Sequence, residues 1–314
     1  MVPEADFESY YGRSVVKPAP WEHDIAVYLF TGGVAAGSSL LAAGADLTGR
    51  PALRRVARFG SLASLLVSVG ALVRDLGKPS RFLNMLRVAK PTSPMSVGTW
   101  ILSLHGPFAG AAAAAERASM LPRRWKRGPV RLLLAVGRPA GMVGALTAPP
   151  VAAYTGVLLS DTATPAWHSA YKELPFVFCG SAAAASGGLG LLGAPVAEAG
   201  PARAFAVGGA LVELVTERRM EQSMGLAAEA LHEGRAGRLM KASTALTAAG
   251  ALGALAGRRS RALSMISGAA LMAGSLCTRL GVFEAGIASA KDPKYTVVPQ
   301  RERVDRGEPV RYRG

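Results

Sequence analysis

The sequence has few residues that could bind a redox metal. It contains two cysteines, Cys179 and Cys277, and four histidines in 314 residues. Both cysteines lie inside apolar runs without the spacing of zinc or iron–sulfur ligands. Only His105 lies well inside an apolar run, so a haem held by two histidines between helices is excluded. We therefore expect no haem and no metal in this chain.

Charged residues are also scarce. Asp, Glu, Lys and Arg make up 18% of the chain, whereas 50% of the residues are hydrophobic and the mean hydropathy is +0.26. Several separate runs of about twenty nearly uncharged residues are typical of membrane proteins. The sequence predicts an all-α, polytopic membrane bundle of about eight transmembrane helices. The predicted spans are residues 25–45, 56–73, 97–115, 132–159, 174–192, 202–215, 242–256 and 263–282.

The ends of the chain differ from this apolar centre. Residues 1–21 are polar and acidic and do not resemble a cleavable signal peptide, so the first apolar run is expected to remain as a helix. We expect three parts: an outer N-terminal segment (1–24), the transmembrane bundle (25–282) and a polar C-terminal tail (283–314). The tail is too polar to form a core alone.

Acidic residues are outnumbered, with 21 Asp and Glu against 36 Lys and Arg. The basic residues lie mainly between apolar runs, which favours membrane orientation over binding to nucleic acid. Because basic loops stay in the cytoplasm, the loops after the first, third and seventh spans are assigned to that side. Both termini are then expected on the outer side of the inner (cytoplasmic) membrane.

One predicted outer loop departs from this charge pattern. Residues 74–90 contain five basic residues and one acidic residue, Asp75. A docking surface for a protein partner would explain such a loop, and an ordinary solvated loop is the alternative. The basic residues are Arg74, Lys78, Arg81, Arg87 and Lys90.

Several polar residues fall at the predicted outer ends of helices. They are His23 before the first span, Asp75 after the second, and Tyr154 and Asp161 near the end of the fourth. Ionisable groups at the membrane edge are costly and often functional. Their shared depth predicts one polar pocket with these four residues as catalytic candidates. Charges that merely reach the lipid headgroups are the alternative.

Three polar residues are predicted to lie deeper. His105 could relay protons, but a bond to a carbonyl freed by Pro107 is the favoured interpretation. Glu213 and Glu217 share one helical face. They could belong to a proton path, but pairing with the adjacent Arg218 and Arg219 is favoured.

Specific motifs narrow the interpretation. The stretches DLGKPSRF at 75–82 and PTSPMSVGTW at 91–100 join helix ends to turns broken by proline. With GVAAG at 33–37, YTGVLL at 154–159 and PAW at 165–167, they resemble the NrfD/PsrC family, the membrane subunits of polysulfide reductase and related respiratory enzymes. The resemblance extends over about the first 180 residues, and beyond them it rests on hydropathy alone.

The resemblance implies a quinone site between the first helices near the outer face. It implies a four-cluster iron–sulfur subunit docked on that face through residues 74–90, and a molybdenum catalytic subunit beyond it. Formate dehydrogenase is the preferred complex, and polysulfide, thiosulfate or another substrate of the catalytic subunit is the alternative. Menaquinone and ubiquinone both remain open. The family tyrosine matches Tyr154, whereas the polar residues of the first helix align near Ile25 and Tyr28, where this chain has no His or Asn. Tyr28, His23 and Asp24 are candidates to replace them.

The remaining binding candidates are Gly33 and Gly37, which would let another helix or a flat ligand approach closely, and Trp100. Two other functions compete. A secondary transporter would show internal repeats, and no convincing repeat is present. A purely structural anchor would leave Tyr154 and Asp75 without a task. We therefore expect a quinone-binding subunit that exchanges electrons with an iron–sulfur partner.

Overall fold

The computed structural model describes residues 14–21, 23–76 and 78–307, except for the side chain of His23. This part of the chain contains eight long α-helices and no β-strand. The long helices are α1 (His23–Leu47), α2 (Pro51–Asp75), α3 (Pro94–Ser119), α4 (Pro129–Ser160), α5 (Leu174–Gly193), α6 (Gly200–Ser223), α7 (Gly234–Ala256) and α8 (Arg261–Lys291).

Each of the eight predicted spans corresponds to one long helix, so the predicted all-α polytopic bundle is confirmed. Among the described helices, six are long and apolar enough to cross a membrane by length and composition. The other two are α3, which is rich in alanine and glycine, and α6, which carries several charges. The last long helix continues to Lys291, beyond the predicted bundle boundary at residue 282.

The bundle consists of two four-helix halves. In the first half α1 packs on α2 and α4, and α3 packs on α4; in the second half α6 packs on α5, and α8 packs on α5 and α7. Helix α5 joins the halves because it also packs against α1 and α4. We call the end of the bundle where α1 begins and α2 ends the amino-terminal face, and the other end the opposite face.

Helices α5 and α6 approach each other through glycine. A Cβ atom on Gly209 would lie 2.7 Å from the carbonyl oxygen of Gly180, and a Cβ on Gly180 would lie 2.9 Å from the carbonyl oxygen of Gly209. Real Cβ atoms do not approach so closely, so any larger residue at either position would push the backbones apart. Small residues serve this purpose in membrane bundles because lipid tails supply no hydrophobic force between helices.

An ion cluster joins the first four helices near the opposite face. Glu116 of α3 lies 2.9 Å from Arg54 and 3.1 Å from Arg58, both on α2. Asp46 of α1 lies 2.8 Å from Arg54 and 3.5 Å from Arg138 of α4. Glu116 and Arg58 are buried, so removing one member would leave an uncompensated charge inside the protein.

Short segments cover the amino-terminal face. The 3-10 helix Pro79–Leu86 follows α2, and the short helix Pro165–Ser169 follows α4. Trp167 is buried and donates a hydrogen bond to the carbonyl of Val282 at 2.8 Å.

The C-terminal helix Lys294–Asp305 begins with Lys294, whose ammonium lies 3.1 Å from Glu229. The hydrogen bond with Glu229 raises the pKa of Lys294 above its usual range.

The His105 ring bonds to partners other than the carbonyl that was expected. Its ring is fully buried, with Nδ1 3.0 Å from the hydroxyl of Thr147 on α4 and Nε2 3.4 Å from the hydroxyl of Ser39 on α1. The expected bond to a carbonyl freed by Pro107 is thus replaced by two hydroxyls on neighbouring helices. His105 thereby links α1, α3 and α4.

The predicted pairing of Glu213 and Glu217 with Arg218 and Arg219 is wrong. Both carboxylates are buried inside the bundle, whereas the two arginines are exposed. Glu213 accepts a hydrogen bond of 2.6 Å from Thr278 on α8. Arg218 and Arg219 lie on the exposed side of α6, whereas the two glutamates lie on its buried side. The arginines therefore do not pair with the glutamates.

Gly208 and Gly209 provide a matched test of the α5–α6 contact. We expect Gly209→Ala to lower the free energy of unfolding by about 1–3 kcal/mol, because the added methyl group overpacks the contact. The control Gly208→Ala adds its methyl group where no atom lies within 4 Å. This control should leave the free energy of unfolding equal or slightly higher, since alanine has a higher helix propensity than glycine. Thermal unfolding in detergent measures both, and equal midpoints would contradict the close approach.

Candidate functional site

A cavity of about 280 Å³ opens between α1, α2, α3 and α4 close to the amino-terminal face. Its walls are mostly aliphatic and aromatic, with few polar groups. The size and lining resemble those of sites for small organic ligands, which range upward from about 300 Å³. The main lining residues are Trp21, Ile25, Tyr28, Leu65, Leu72, Asp75, Phe82, Met85, Met95, Gly98, Leu102, Tyr154 and Leu158.

Two tyrosines from different helices meet in this cavity. Tyr28 of α1 is 2% exposed and Tyr154 of α4 is 9% exposed. Their ring centroids are 6.4 Å apart and the ring planes are inclined by 68°, an edge-to-face arrangement. The rings are close enough for one ligand ring to contact both.

Gly98 on α3 makes room for Tyr154. A Cβ atom on Gly98 would lie 2.6 Å from Cδ2 of the Tyr154 ring. The ring therefore lies directly against the backbone of α3, and its position depends on the absence of a side chain there. Ser93 supports this end of α3 because its hydroxyl caps the helix at the backbone N–H of Ser96.

The acidic group of the site comes from the end of α2. Asp75 is the last residue of this helix and lines the cavity. Beside it, Arg74 lies 3.5 Å from Asp24 of α1 in a partly exposed ion pair. The pair joins the ends of α1 and α2 at the mouth of the cavity.

The 3-10 helix Pro79–Leu86 covers the cavity. Phe82 and Met85 of this segment are among the lining residues, and Trp21 closes the side toward the N-terminus. The Trp21 ring also stacks on that of Trp167, with centroids 5.7 Å apart. The basic loop thus contributes apolar side chains to the cavity in addition to its charged residues.

The structure brings together three of the predicted site residues, Tyr28, Asp75 and Tyr154. Two others, Trp100 and Asp161, do not line the cavity. The Trp100 indole is exposed and lies 3.3 Å from the carbonyl of Val88, in a shallow groove next to Lys90. Asp161 caps the end of α4 and is exposed.

The predicted glycines of α1 lie on another side of this helix. A Cβ on Gly33 would meet Arg279 of α8 and Ala182 of α5, and a Cβ on Gly37 would meet Ser186 of α5. Both glycines therefore allow α1 to pack on the second half. The side chain of His23, also a candidate, lies outside the described residues.

Sequence reasoning missed Phe82, Met85, Met95 and Gly98 as members of the site. All four lie in or near the two proline-broken stretches at 75–82 and 91–100, which were the least generic parts of the sequence. Their position in these stretches could have identified them as site residues. Apolar residues are, however, also typical of ordinary packing between helices. Within the described residues, no cluster of three or more His, Cys, Asp or Glu could hold a metal ion.

Comparison with known families shows which family this chain belongs to. A family model described as polysulphide reductase, NrfD, matches residues 14–197. The match extends over more than half of the chain and includes every residue that lines the cavity. The chain belongs to the NrfD family. No individual curated protein matches it.

Membership of the NrfD family gives the chain a general role. It is a multi-pass membrane protein of the kind that interacts with quinone in molybdoenzyme complexes. Members of the family typically associate with iron–sulfur and molybdenum subunits as well as with the lipid bilayer. The match ends at residue 197, just before α6, so the family-specific part comprises α1 to α5.

Gly98→Ala tests the geometry of the cavity. The new methyl group should displace the Tyr154 ring into the cavity, and we expect a quinone analogue to bind about tenfold or more weakly, or about 1.4 kcal/mol. Titration of the purified protein with a fluorescent naphthoquinol analogue measures this affinity. Gly110→Ala on the same helix is the control, because no atom lies within 4 Å of the added Cβ. Equal affinities for both variants would show that the ligand does not depend on this wall.

Proposed function

We propose that the chain binds a quinone in the cavity between α1 and α4 and exchanges electrons between the quinone pool and an iron–sulfur partner. That partner would be a four-cluster ferredoxin-like subunit of a molybdoenzyme complex, with formate dehydrogenase as the preferred complex. The observation that carries this proposal is an apolar cavity of about 280 Å³ that contains two tyrosines and one carboxyl group.

The residue types fit the chemistry of a quinone. A quinone needs an apolar slot for its ring and tail, donors for its two carbonyl oxygens, and groups that exchange protons with water. In the proposed arrangement the ring lies near the Tyr28 and Tyr154 rings, and the Tyr154 hydroxyl donates to one carbonyl oxygen. Tyr28 takes the place of the polar residue that the family resemblance expects on the first helix.

Reduction of a quinone to a quinol takes up two electrons and two protons. In this proposal the electrons come from the cluster of the partner. In the proposed arrangement Asp75, at the end of α2, passes protons between water and the cavity. The quinone performs the redox step itself, while the protein orients it and exchanges its protons. Quinol oxidation would run through the same groups in reverse.

The position of the basic loop supports a partner at the amino-terminal face. Residues 78–90 follow the helix that carries Asp75, and Phe82 and Met85 of this loop line the cavity. The basic side chains Lys78, Arg81, Arg87 and Lys90 are exposed. A partner that docks on these side chains would bring its cluster next to the quinone.

Two variants test the proposal. We expect Tyr154→Phe and Asp75→Asn each to lower quinone turnover by about a hundredfold, the usual contribution of a positioned proton-transfer group. The assay is quinone reduction by the assembled complex in membranes, with the amount of complex confirmed by mass spectrometry. Tyr171→Phe is the matched control, because Tyr171 is an exposed tyrosine outside the cavity. Full activity of both test variants in assembled complexes would favour a purely structural anchor.

A further inference from the structure

The second half of the bundle contains three charged groups that the quinone proposal does not use. Glu213 and Glu217 of α6 are 0% and 5% exposed, and Arg279 of α8 is 0% exposed. All three lie well inside helices that belong to the membrane bundle. Ionisable groups at such a depth are costly, so each is a candidate for a functional site by default.

These groups form one cluster between α5, α6, α7 and α8. The Thr278 hydroxyl donates to Glu213 at 2.6 Å, and the Ser243 hydroxyl of α7 lies 2.5 Å from that of Thr278. Arg279 donates to the carbonyl of Phe178 on α5 at 2.7 Å, and its guanidinium lies 3.7 Å from the centre of the Phe178 ring. The cluster is therefore held by side chains from four helices.

The hydrogen-bonding capacity of the cluster is only partly used. Among the described residues, one carboxylate oxygen of Glu213, one of Glu217, and Nε and Nη1 of Arg279 make no hydrogen bond although all four atoms are buried. Buried polar atoms of native proteins are normally paired. The two unused carboxyl oxygens are the positions in this cluster at which a proton can bind.

The charges of the cluster do not balance without a proton. Within the described part of the chain, Arg279 is the one cation whose charge acts on Glu213, while Glu217 faces the negative charges of Glu213 and Glu221. The other groups that face the cluster are the Cys179 thiol of α5 and hydroxyls, including that of Thr244 on α7. Two ionised carboxylates beside one guanidinium would leave a net negative charge in a medium that strongly disfavours it. The cluster is neutral when the two carboxyl groups share one proton.

A route leads from the cluster to water at the amino-terminal face. Glu213, Glu217 and Glu221 follow one another at intervals of four residues, about 6 Å along α6. Glu221 is partly exposed, and its carboxylate lies 3.8 Å from Nε2 of the more exposed His232. In the other direction the polar contacts lead from Glu213 to Ser181 and on to Ser275, with the two serine hydroxyls 2.7 Å apart.

We propose that Glu213, Glu217 and Arg279 form a proton-holding site in the middle of the bundle, which exchanges its proton with water at the amino-terminal face through Glu221 and His232. The exchanged species is a proton from water, and no electron transfer takes part. The site does not depend on the quinone proposal, because none of these residues lines the quinone cavity.

Infrared spectroscopy of the purified complex tests the site without an activity assay. We expect one carboxylic-acid C=O band per chain at neutral pH, which shifts in D2O and can be assigned to the cluster by substitution. Glu213→Gln and Glu217→Gln should each abolish this band, because the remaining carboxylate neutralises Arg279. Arg279→Gln should instead double it, since both carboxyl groups would then hold a proton.

The control is Glu284→Gln, which changes a partly exposed carboxylate that lies 3.3 Å from Arg235. This variant should keep the band. A wild-type spectrum without an exchangeable carboxylic-acid band would overturn the proposal, and this result needs no variant to fold. A band that survives in both Glu213→Gln and Glu217→Gln would overturn it as well.

The route has its own test. We expect Glu221→Gln to slow the exchange of the band in D2O severalfold while leaving its intensity unchanged. An unchanged exchange rate would reject the route through Glu221. Quinone binding should be equal to wild type in all of these variants, so a failure here is distinguishable from a failure of the quinone site.

Discussion

The structure depends on the close approach of helix backbones through small residues. Lipid surrounds the bundle and is as apolar as a leucine side chain, so the helices gain little by hiding apolar surface from it. Van der Waals contact between backbones must replace that gain. The contact of Gly180 with Gly209 brings α5 against α6, while Gly33 and Gly37 bring α1 against α5. Helix α5 thereby becomes the element that joins the two halves of the bundle.

The two halves use this close packing differently. In the first half, large apolar side chains near the amino-terminal face line the cavity, and the absence of a side chain at Gly98 lets the Tyr154 ring lie against α3. In the second half the helices stay close, and the space between them is filled by the cluster around Glu213 and Arg279. One half is thus suited to an apolar ring and the other to a buried proton.

A chemical logic connects the two proposals. Reduction of a quinone takes up both electrons and protons, and the proposed quinone site exchanges both at the amino-terminal face. The proton-holding site opens to the same face, and Arg279 lies against Gly33 of α1, the helix that also contributes Tyr28 to the cavity. The first helix therefore contacts both sites through different sides.

The sequence was sufficient to predict the helices, because twenty uncharged residues in lipid can form little else. It also predicted the NrfD family and the joint position of Asp75 and Tyr154, since residues at helix ends share a depth whatever the rotation of the helix. The same argument wrongly placed Asp161 at the cavity, and Tyr28 was a candidate only through the family resemblance. The rotation itself was not predictable.

Which side of α1 carries Gly33, which side of α3 carries Trp100, and whether Glu213 faces its neighbours or the bundle all depend on packing between distant segments. The apolar side chains of Phe82 and Met85 were missed for the same reason. They belong to the site only because the 3-10 helix folds back over α2 and α3.

The central claim is that quinone occupies the cavity between α1 and α4. Its most direct test is photolabelling of the intact complex in membranes with a quinone that carries a photoreactive group on its ring, followed by mapping of the labelled peptides. The account predicts label on peptides that contain Tyr28, Met85, Met95 or Tyr154, and competition by unmodified quinone should remove it. Competable label confined to peptides of α6, α7 or α8 would contradict the account.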